Sequence, residues 1–194
     1  EILSSRREYT KLNPCVVLLG KGDHQITSSW TAPGGTEYAT TLDITRSNVT
    51  YVGTGKDTTT ILGGFNIENV ENITFKQMTV TNTSSSGKGI RMKNAKVELI
   101  DVTLTGCRYC ALDIPESTSE TTILVATRCK FANSMFGAAL EGSLTSATFK
   151  NCVFHDNDCD GIYGGSNATI HLHGEATAIH ANREYGICAA SSGK

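Results

Sequence analysis

The chain has little of several features that mark common classes of protein. Its 194 residues include three prolines and one tryptophan, and no amphipathic stretch long enough to predict a helix follows residue 40. No apolar run approaches the roughly 18 residues that a membrane-spanning helix needs. Lysine and arginine total 17 against 19 acidic residues, so a net charge of −2 gives no basic surface for nucleic acid. The sequence therefore favours one β-rich domain that binds neither a membrane nor nucleic acid.

Signals for processing and for disulfide pairing are sparse. No signal peptide is visible, and we interpret the start at Glu1 as a mature or excised piece of a longer polypeptide. The seven cysteines are an odd number, so at least one is free or pairs with another chain. Cys107 and Cys110 form a CxxC motif without the second half of a zinc site, which favours a structural role. Four glycosylation sequons modestly favour secretion: Asn48, Asn72, Asn82 and Asn167.

What the sequence does contain is an internal repeat. The repeat is a set of five residues at offsets 0, 1, 3, 7 and 8: an aromatic or aliphatic residue, then His, Asn, Gly and Ile. The set recurs 25 residues later. The two copies are Phe154, His155, Asn157, Gly161 and Ile162, then Ile179, His180, Asn182, Gly186 and Ile187. A unit at this interval, with no helical periodicity inside it, predicts a solenoid.

The repeat extends upstream through a row of mostly large side chains at steps of 24, 24, 27, 23 and 23 residues. The longest step contains residues 115–120, PESTSE, which we predict to bulge as a loop from one corner. Short β-branched runs with period-two alternation predict two or three strands in each coil, which is typical of a parallel β-helix; a β-sandwich is the alternative. The row is Tyr51, Phe75, Leu99, Ala126, Phe149 and Leu172, and we also expect Cys129 over Cys152 and Phe131 over Phe154.

Two early segments resemble turns of a known superfamily. Residues 16–26, VVLLGKGDHQI, and 48–61, NVTYVGTGKDTTTI, resemble the first two turns of right-handed parallel β-helix proteins such as pectate lyases, pectin esterases, polygalacturonases and viral tailspikes. The resemblance implies an all-β, right-handed parallel β-helix of about seven coils over residues 16–188, with residues 1–15 as a short N-terminal cap. Residues 1–194 are then one domain, and the resemblance is specific for fold rather than activity, because one scaffold carries many functions.

The acidic run DNDCDG predicts a candidate calcium site. Asp156, Asp158 and Asp160 stand at alternate positions before Gly161, as hard oxygen ligands do at the start of a calcium loop. The glutamate expected at the twelfth position is absent, because Asn167 stands there. A solvated turn that needs glycine for its backbone geometry is the alternative, so the cofactor is calcium or none.

Histidines at equivalent repeat positions predict a candidate catalytic patch. His155 and His180 should be neighbours on one face, and Asp158 should lie beside Arg183 in the next coil. Two imidazoles near a carboxylate and a guanidinium would suit general acid–base chemistry on sugars, in which the cation stabilises a developing dianion. A polar surface stack without chemistry is the alternative.

A turn-rich excursion at residues 28–41 contains Trp30. The indole could pack in a cap over the end of the solenoid, which we favour, or could offer a platform on which a sugar stacks.

These observations leave two hypotheses about function. The first is an extracellular or surface domain that associates with polysaccharide, with lyase or epimerase activity on an acidic glycan. The second is a non-catalytic recognition or structural module, such as a segment of a viral spike, fibre or adhesin. Pectin-esterase and polygalacturonase motifs are missing, so enzymatic activity is left open. The predicted location is extracellular, at a cell surface or at a virion surface, and a homotrimer would shield the ends of an uncapped solenoid.

Overall fold

The computed structural model describes residues 9–117 and 119–190, and all the regular structure in those ranges is β-strand. Short parallel strands stack into a solenoid with three faces. Each face holds seven strands, so about six turns separate the first level from the last. Antiparallel pairing is confined to one hairpin of two-residue strands and one isolated bridge in the described chain, which excludes the β-sandwich alternative.

The strands are numbered in chain order and are grouped here by face. The first face consists of β1 (Cys15–Leu18), β6 (Val49–Val52), β9 (Ile73–Thr81), β11 (Lys96–Thr105), β13 (Thr122–Thr127), β16 (Thr145–Lys150) and β19 (Thr169–His173). The second consists of β2 (Gly22–Gln25), β7 (Thr59–Leu62), the later halves of β9 and β11, β14 (Lys130–Ala132), β17 (Val153–His155) and β20 (Ala178–His180). The third consists of β5 (Thr41–Ile44), β8 (Gly64–Glu68), β10 (Ile90–Lys93), β12 (Cys110–Ile114), β15 (Phe136–Glu141), β18 (Ile162–Gly165) and β21 (Ile187–Ala190). β3 (Trp30–Thr31) and β4 (Glu37–Tyr38) form the hairpin.

The register of the first face confirms the predicted row. Tyr51 pairs with Phe75, and each later member of the row pairs with the next as far as Leu172. Alternate residues of each strand point inward, so the row forms one wall of the core. The predicted stack of Phe131 on Phe154 is also present, with ring centroids 4.8 Å apart and ring planes 9° apart. The register, and with it the solenoid, could therefore be predicted from spacing alone.

A buried ladder of polar side chains marks the corner between the second and third faces. The Asn157 amide nitrogen donates to the Asn182 side-chain oxygen at 2.8 Å and to the Phe131 carbonyl at 3.3 Å. The backbone nitrogen of Ser134 donates to the Asn157 side-chain oxygen at 3.2 Å. These bonds satisfy backbone groups that leave the sheets at the corner, where an apolar side chain would leave them unpaired. The repeated asparagine of the sequence is therefore structural.

A row of glycines lies at or next to the start of several strands of the third face. A Cβ added to Gly64 would lie 2.0 Å from the Lys88 carbonyl oxygen, and one added to Gly137 would lie 2.4 Å from that of Gly161. The coils approach each other too closely there for any side chain. This row accounts for the Gly-Ile pairs that recur in the sequence.

The ends and loops follow the prediction in part. Residues 1–8 of the predicted cap lie outside the described residues, and Cys15 already begins β1. The 115–120 segment is a loop between β12 and β13, with Thr118 outside the described residues. No helix in the described ranges is long and apolar enough to span a membrane.

All seven cysteines fall in the described residues, and each is a free thiol. Burial raises the pKa of Cys107 to about 11 and raises that of Cys110 as well. A buried, protonated thiol is a poor nucleophile and metal ligand, so the CxxC pair suits the structural role that the sequence favoured. Cys129 and Cys152 are buried in adjacent coils, as predicted.

The sequon asparagines differ in accessibility. Asn82 is 1% exposed, and its side chain holds the following loop through hydrogen bonds with Lys88 and Ser84. Asn72 donates to Asn48, which donates in turn to the Tyr9 carbonyl. Asn167 is exposed. Glycosylation of Asn48, Asn72 or Asn82 would break hydrogen bonds of the fold. The sequons therefore indicate secretion more weakly than their number suggests.

Candidate functional site

The two predicted histidines meet at the late-coil corner, which we define as residues 155–160 and 180–185. His155 ends β17 and pairs in register with His180 at the end of β20. Their rings are stacked, with centroids 5.2 Å apart and ring planes 7° apart. His155 Nδ1 lies 2.6 Å from Asp156 Oδ2, a contact that fixes the imidazole orientation. When Nδ1 carries the proton, Nε2 is the free base.

The acidic residues of the late-coil corner make separate contacts. Asp160 is 4% exposed, and its Oδ1 accepts a hydrogen bond from the Tyr185 backbone nitrogen at 3.1 Å. Asp156 faces His155, whereas Asp158 is exposed. In the described residues no three His, Cys, Asp or Glu side chains are grouped closely enough to hold a metal ion. The structure therefore does not bring the three predicted calcium ligands together, and calcium binding there stays a prediction.

Arg183 is exposed in the coil above Asp158, and its backbone nitrogen donates to the Asn157 carbonyl at 2.9 Å. No ion pair within 4.0 Å joins Arg183 to Asp158 in the part of the chain that the structure describes. The structure thus brings His155, His180 and Asp156 together, and leaves Asp158 and Arg183 as exposed neighbours. Their catalytic roles stay predictions.

A denser polar cluster, which sequence reasoning missed, lies on the outer side of the third face. Lys88 Nζ contacts Asp113 Oδ2 at 2.6 Å, and Arg91 Nε lies 3.7 Å from the same oxygen. Arg91 also lies 3.7 Å from Glu68 and donates to the Asn66 side-chain oxygen at 2.9 Å. The Lys88 and Asp113 side chains are only 15% and 11% exposed, so the charges are partly removed from water and are balanced mainly by one another.

The β3–β4 hairpin packs its aromatic rings on this cluster. Trp30 and Tyr38 have ring centroids 5.3 Å apart. The Arg91 guanidinium carbon lies 4.9 Å from the Trp30 ring centroid, and Lys88 Nζ lies 5.3 Å from that of Tyr38. Both distances fit cation–π attraction. Trp30 therefore packs on the flank of the solenoid, where sequence reasoning had favoured a cap over its end.

An open cleft of about 480 Å³ lies beside the hairpin. Its lining includes Trp30 and Pro33, together with Asp43, Glu68 and Asn69, whose side chains provide oxygen acceptors. Its size falls in the range of small-ligand sites, roughly 300–1,000 Å³. A flat ring beside carboxylate and amide oxygens can hold a ligand with one apolar face and several hydroxyl groups.

A row of aromatic rings continues along the same face toward the late coils. Tyr109 and Phe136 have centroids 6.0 Å apart, and Phe136 and Tyr163 have centroids 6.1 Å apart, each pair edge to face. Tyr109 is 42% exposed, and Lys88 Nζ lies 5.5 Å from its ring centroid. The cleft, the ion-pair cluster and this row together form what we call the aromatic face.

The repeat spacing carried a signal for the polar pairs of the aromatic face, one an ion pair and one a hydrogen bond. Lys88 and Asp113 stand 25 residues apart, as do Asn66 and Arg91. Aligning outward positions as carefully as inward ones would have placed these pairs together. No comparable signal places the hairpin, because residues 28–41 have no counterpart in later coils.

Comparison with known proteins concerns the fold. No curated protein matches the chain significantly. Residues 35–194 match a family model described as the right-handed beta helix region. Because that match covers most of the chain and agrees with the stacked parallel strands, the chain belongs to the right-handed β-helix family.

Proposed function

We propose that the chain is a polysaccharide-associated domain that binds a glycan along its aromatic face. The observation that carries the proposal is the cleft lined by Trp30 together with the oxygen acceptors Asp43 and Glu68. Sugars present apolar C–H surfaces that stack on aromatic rings, and hydroxyl groups that donate to carboxylates. The row of Tyr109, Phe136 and Tyr163 extends this surface across several coils, as an elongated polymer requires.

Titration calorimetry of the full chain against soluble polysaccharides tests the proposal. Trp30→Ala should weaken binding about tenfold or more, because truncating an aromatic anchor removes much of the energy of a contact surface. Ile123→Ala, an exposed apolar position on the outer side of the first face, is the matched control and should bind like the wild type. If no polysaccharide binds, or if Trp30→Ala binds like the wild type, the proposal is wrong.

The contact between His155 and Asp156 supports a second candidate function, lyase or epimerase chemistry on an acidic glycan. In lyase chemistry His155 Nε2 would take the C5 proton of a uronate, the C4–O bond would break to leave a C4=C5 double bond, and the departing O4 would take a proton from water. Epimerase chemistry would instead return a proton to the opposite face of C5. Asp156 would hold the imidazole in the required tautomer.

Absorbance of unsaturated sugar products tests the lyase branch, and proton exchange at C5 tests the epimerase branch. His155→Ala should abolish either signal, whereas His171→Ala should preserve it, because His171 lies exposed on the outer side of the first face. A chain that binds glycan but gives neither signal is a recognition module.

A further inference from the structure

We infer that the aromatic face takes a neutral glycan, not an acidic one. This inference rests on the proposed function and deepens it by naming the sugar class. It begins from the two cations closest to the hairpin, Lys88 and Arg91. Both are already engaged by carboxylates, Lys88 with Asp113 at 2.6 Å and Arg91 with Asp113 and Glu68 at 3.7 Å. A uronate carboxylate would have to displace one of these internal partners to reach a positive charge.

The balance of charge across the face points the same way. The seven strands of the third face, together with Lys88 just before β10, carry four carboxylates and three cations. The cations are Lys88, Arg91 and Lys93. The carboxylates are Asp43, Glu68, Asp113 and Glu141. A surface with this balance does not attract an anionic polymer, because like charges repel and screening by salt only weakens that repulsion.

The charged residues that line the cleft are all acidic, whereas the face as a whole carries charges of both signs. Asp43 and Glu68 are its charged residues, and no lysine or arginine lines it among the described residues. Asp43 accepts a hydrogen bond from Asn66 at 2.7 Å, the one side-chain hydrogen bond it accepts among the described residues, and a carboxylate has further lone pairs to offer. Sugar hydroxyls are donors that can fill those lone pairs, whereas a uronate would bring a second anion beside Asp43 and Glu68.

The aromatic rings favour a ligand with an apolar surface, whatever its charge. Trp30 contacts the Tyr38 ring and the Arg91 guanidinium, so the indole is positioned before any ligand arrives. A fixed aromatic wall contributes most to ligands whose apolar surface it can cover, and its contribution hardly depends on salt. The site therefore combines an apolar wall with surplus acceptors, which is the complement of a hydroxyl-rich, uncharged sugar.

Paired titrations test the sugar class. The wild-type chain is titrated with neutral oligosaccharides, such as galactan and xylan fragments, and with galacturonate oligomers of the same length, at low and at high salt. We expect neutral oligomers to bind with an affinity that salt changes by less than about twofold, and galacturonate oligomers to bind at least about tenfold more weakly. Asp43→Asn should weaken neutral binding several-fold, and Glu98→Gln, on the outer side of the first face, should not.

The outcomes separate this inference from the function on which it rests. Galacturonate binding that equals or exceeds neutral binding, and that Trp30→Ala removes, overturns the neutral-sugar inference but supports glycan binding at the aromatic face. Neutral binding that Asp43→Asn leaves unchanged also overturns the inference, because the acceptors then have no part in it. Binding of neither class refutes the proposed function, and the inference fails with it. Circular dichroism of each variant checks that it has folded.

Discussion

The middle coils and the last coil use the same register but achieve different burial. Phe131 and Phe154 are 0% exposed, whereas Ile179, the next residue of their row, is only partly buried. On the third face Ile162 is 0% exposed and Ile187, one level on, is 50% exposed. Each inward side chain is covered partly by its own coil and partly by the adjacent coils, so an equivalent side chain is less buried in the last described coil. Stability in this fold is therefore a property of adjacent coils.

Substitutions at equivalent inward positions of two coils should differ most in the core. Phe154→Ala should lower the free energy of unfolding by about 3–5 kcal/mol, because it opens a cavity between stacked rings. Ile179→Ala should cost about 1–2 kcal/mol, below the usual range for a fully buried isoleucine, because that side chain is partly exposed. Urea denaturation measures both. Equal losses in the two variants would contradict the dependence of burial on neighbouring coils.

A smaller effect is expected at Tyr51, near the other end of the buried rows. Its ring stacks on Phe75 with centroids 5.1 Å apart, but its hydroxyl is buried without a hydrogen-bond partner among the described residues. Tyr51→Phe should therefore stabilise the chain at neutral pH by about 1 kcal/mol, since an unpaired buried polar group is costly. Thermal unfolding checks this, with Tyr163→Phe, a partly exposed tyrosine, as the control. A destabilised Tyr51→Phe would mean that the hydroxyl has a partner.

The same tyrosine gives a dependence on pH. Burial, with a smaller electrostatic contribution from the nearby Cys15, raises the pKa of Tyr51 from 10.0 to about 12. Because the folded-state pKa is raised, the folded chain favours the protonated phenol over the ionised one. This contribution to the free energy of unfolding is complete below pH 10 and is lost as the pH rises toward 12. Tyr51→Phe should remove this part of the alkaline loss. A second loss of stability should remain in this variant. It begins near pH 9, where Cys107 ionises in the unfolded chain, because folding raises the pKa of that thiol from 9.0 to about 11.

The smallest expected effect is at the late-coil corner, where exposure dominates. Asp156 and Asp158 are solvated and Asp160 is bound to the Tyr185 backbone, so added calcium should leave the melting temperature unchanged apart from ordinary salt effects. Differential scanning calorimetry with calcium and with a chelator measures this. A calcium-dependent rise in melting temperature that Asp158→Asn abolishes would instead establish the metal site, and an ion would then stabilise the last described coils.

The inward half of the structure was far easier to predict than the outward half. The inward row could be recognised in the sequence from Tyr51, Phe75 and Leu99, because the core is filled by large apolar side chains at these levels. Outward positions face no such demand, and Lys88 and Asp113 differ in type although they meet across adjacent coils. Such a pair becomes visible only once the register is known. The expectation that Trp30 packs in a cap was wrong, because its position depends on a hairpin that occurs once and packs against residues about 60 positions later.

The row of glycines on the third face has a consequence for reading relatives of this chain. At Gly64 and Gly137 a neighbouring carbonyl occupies the space where a side chain would begin, so selection should reject substitutions there whatever the protein binds. An alignment would then record a line of invariant residues along the edge of the aromatic face. That line would trace the contact between coils, while the residues that choose a ligand, such as Trp30 and Asp43, would be free to vary as specificity diverged.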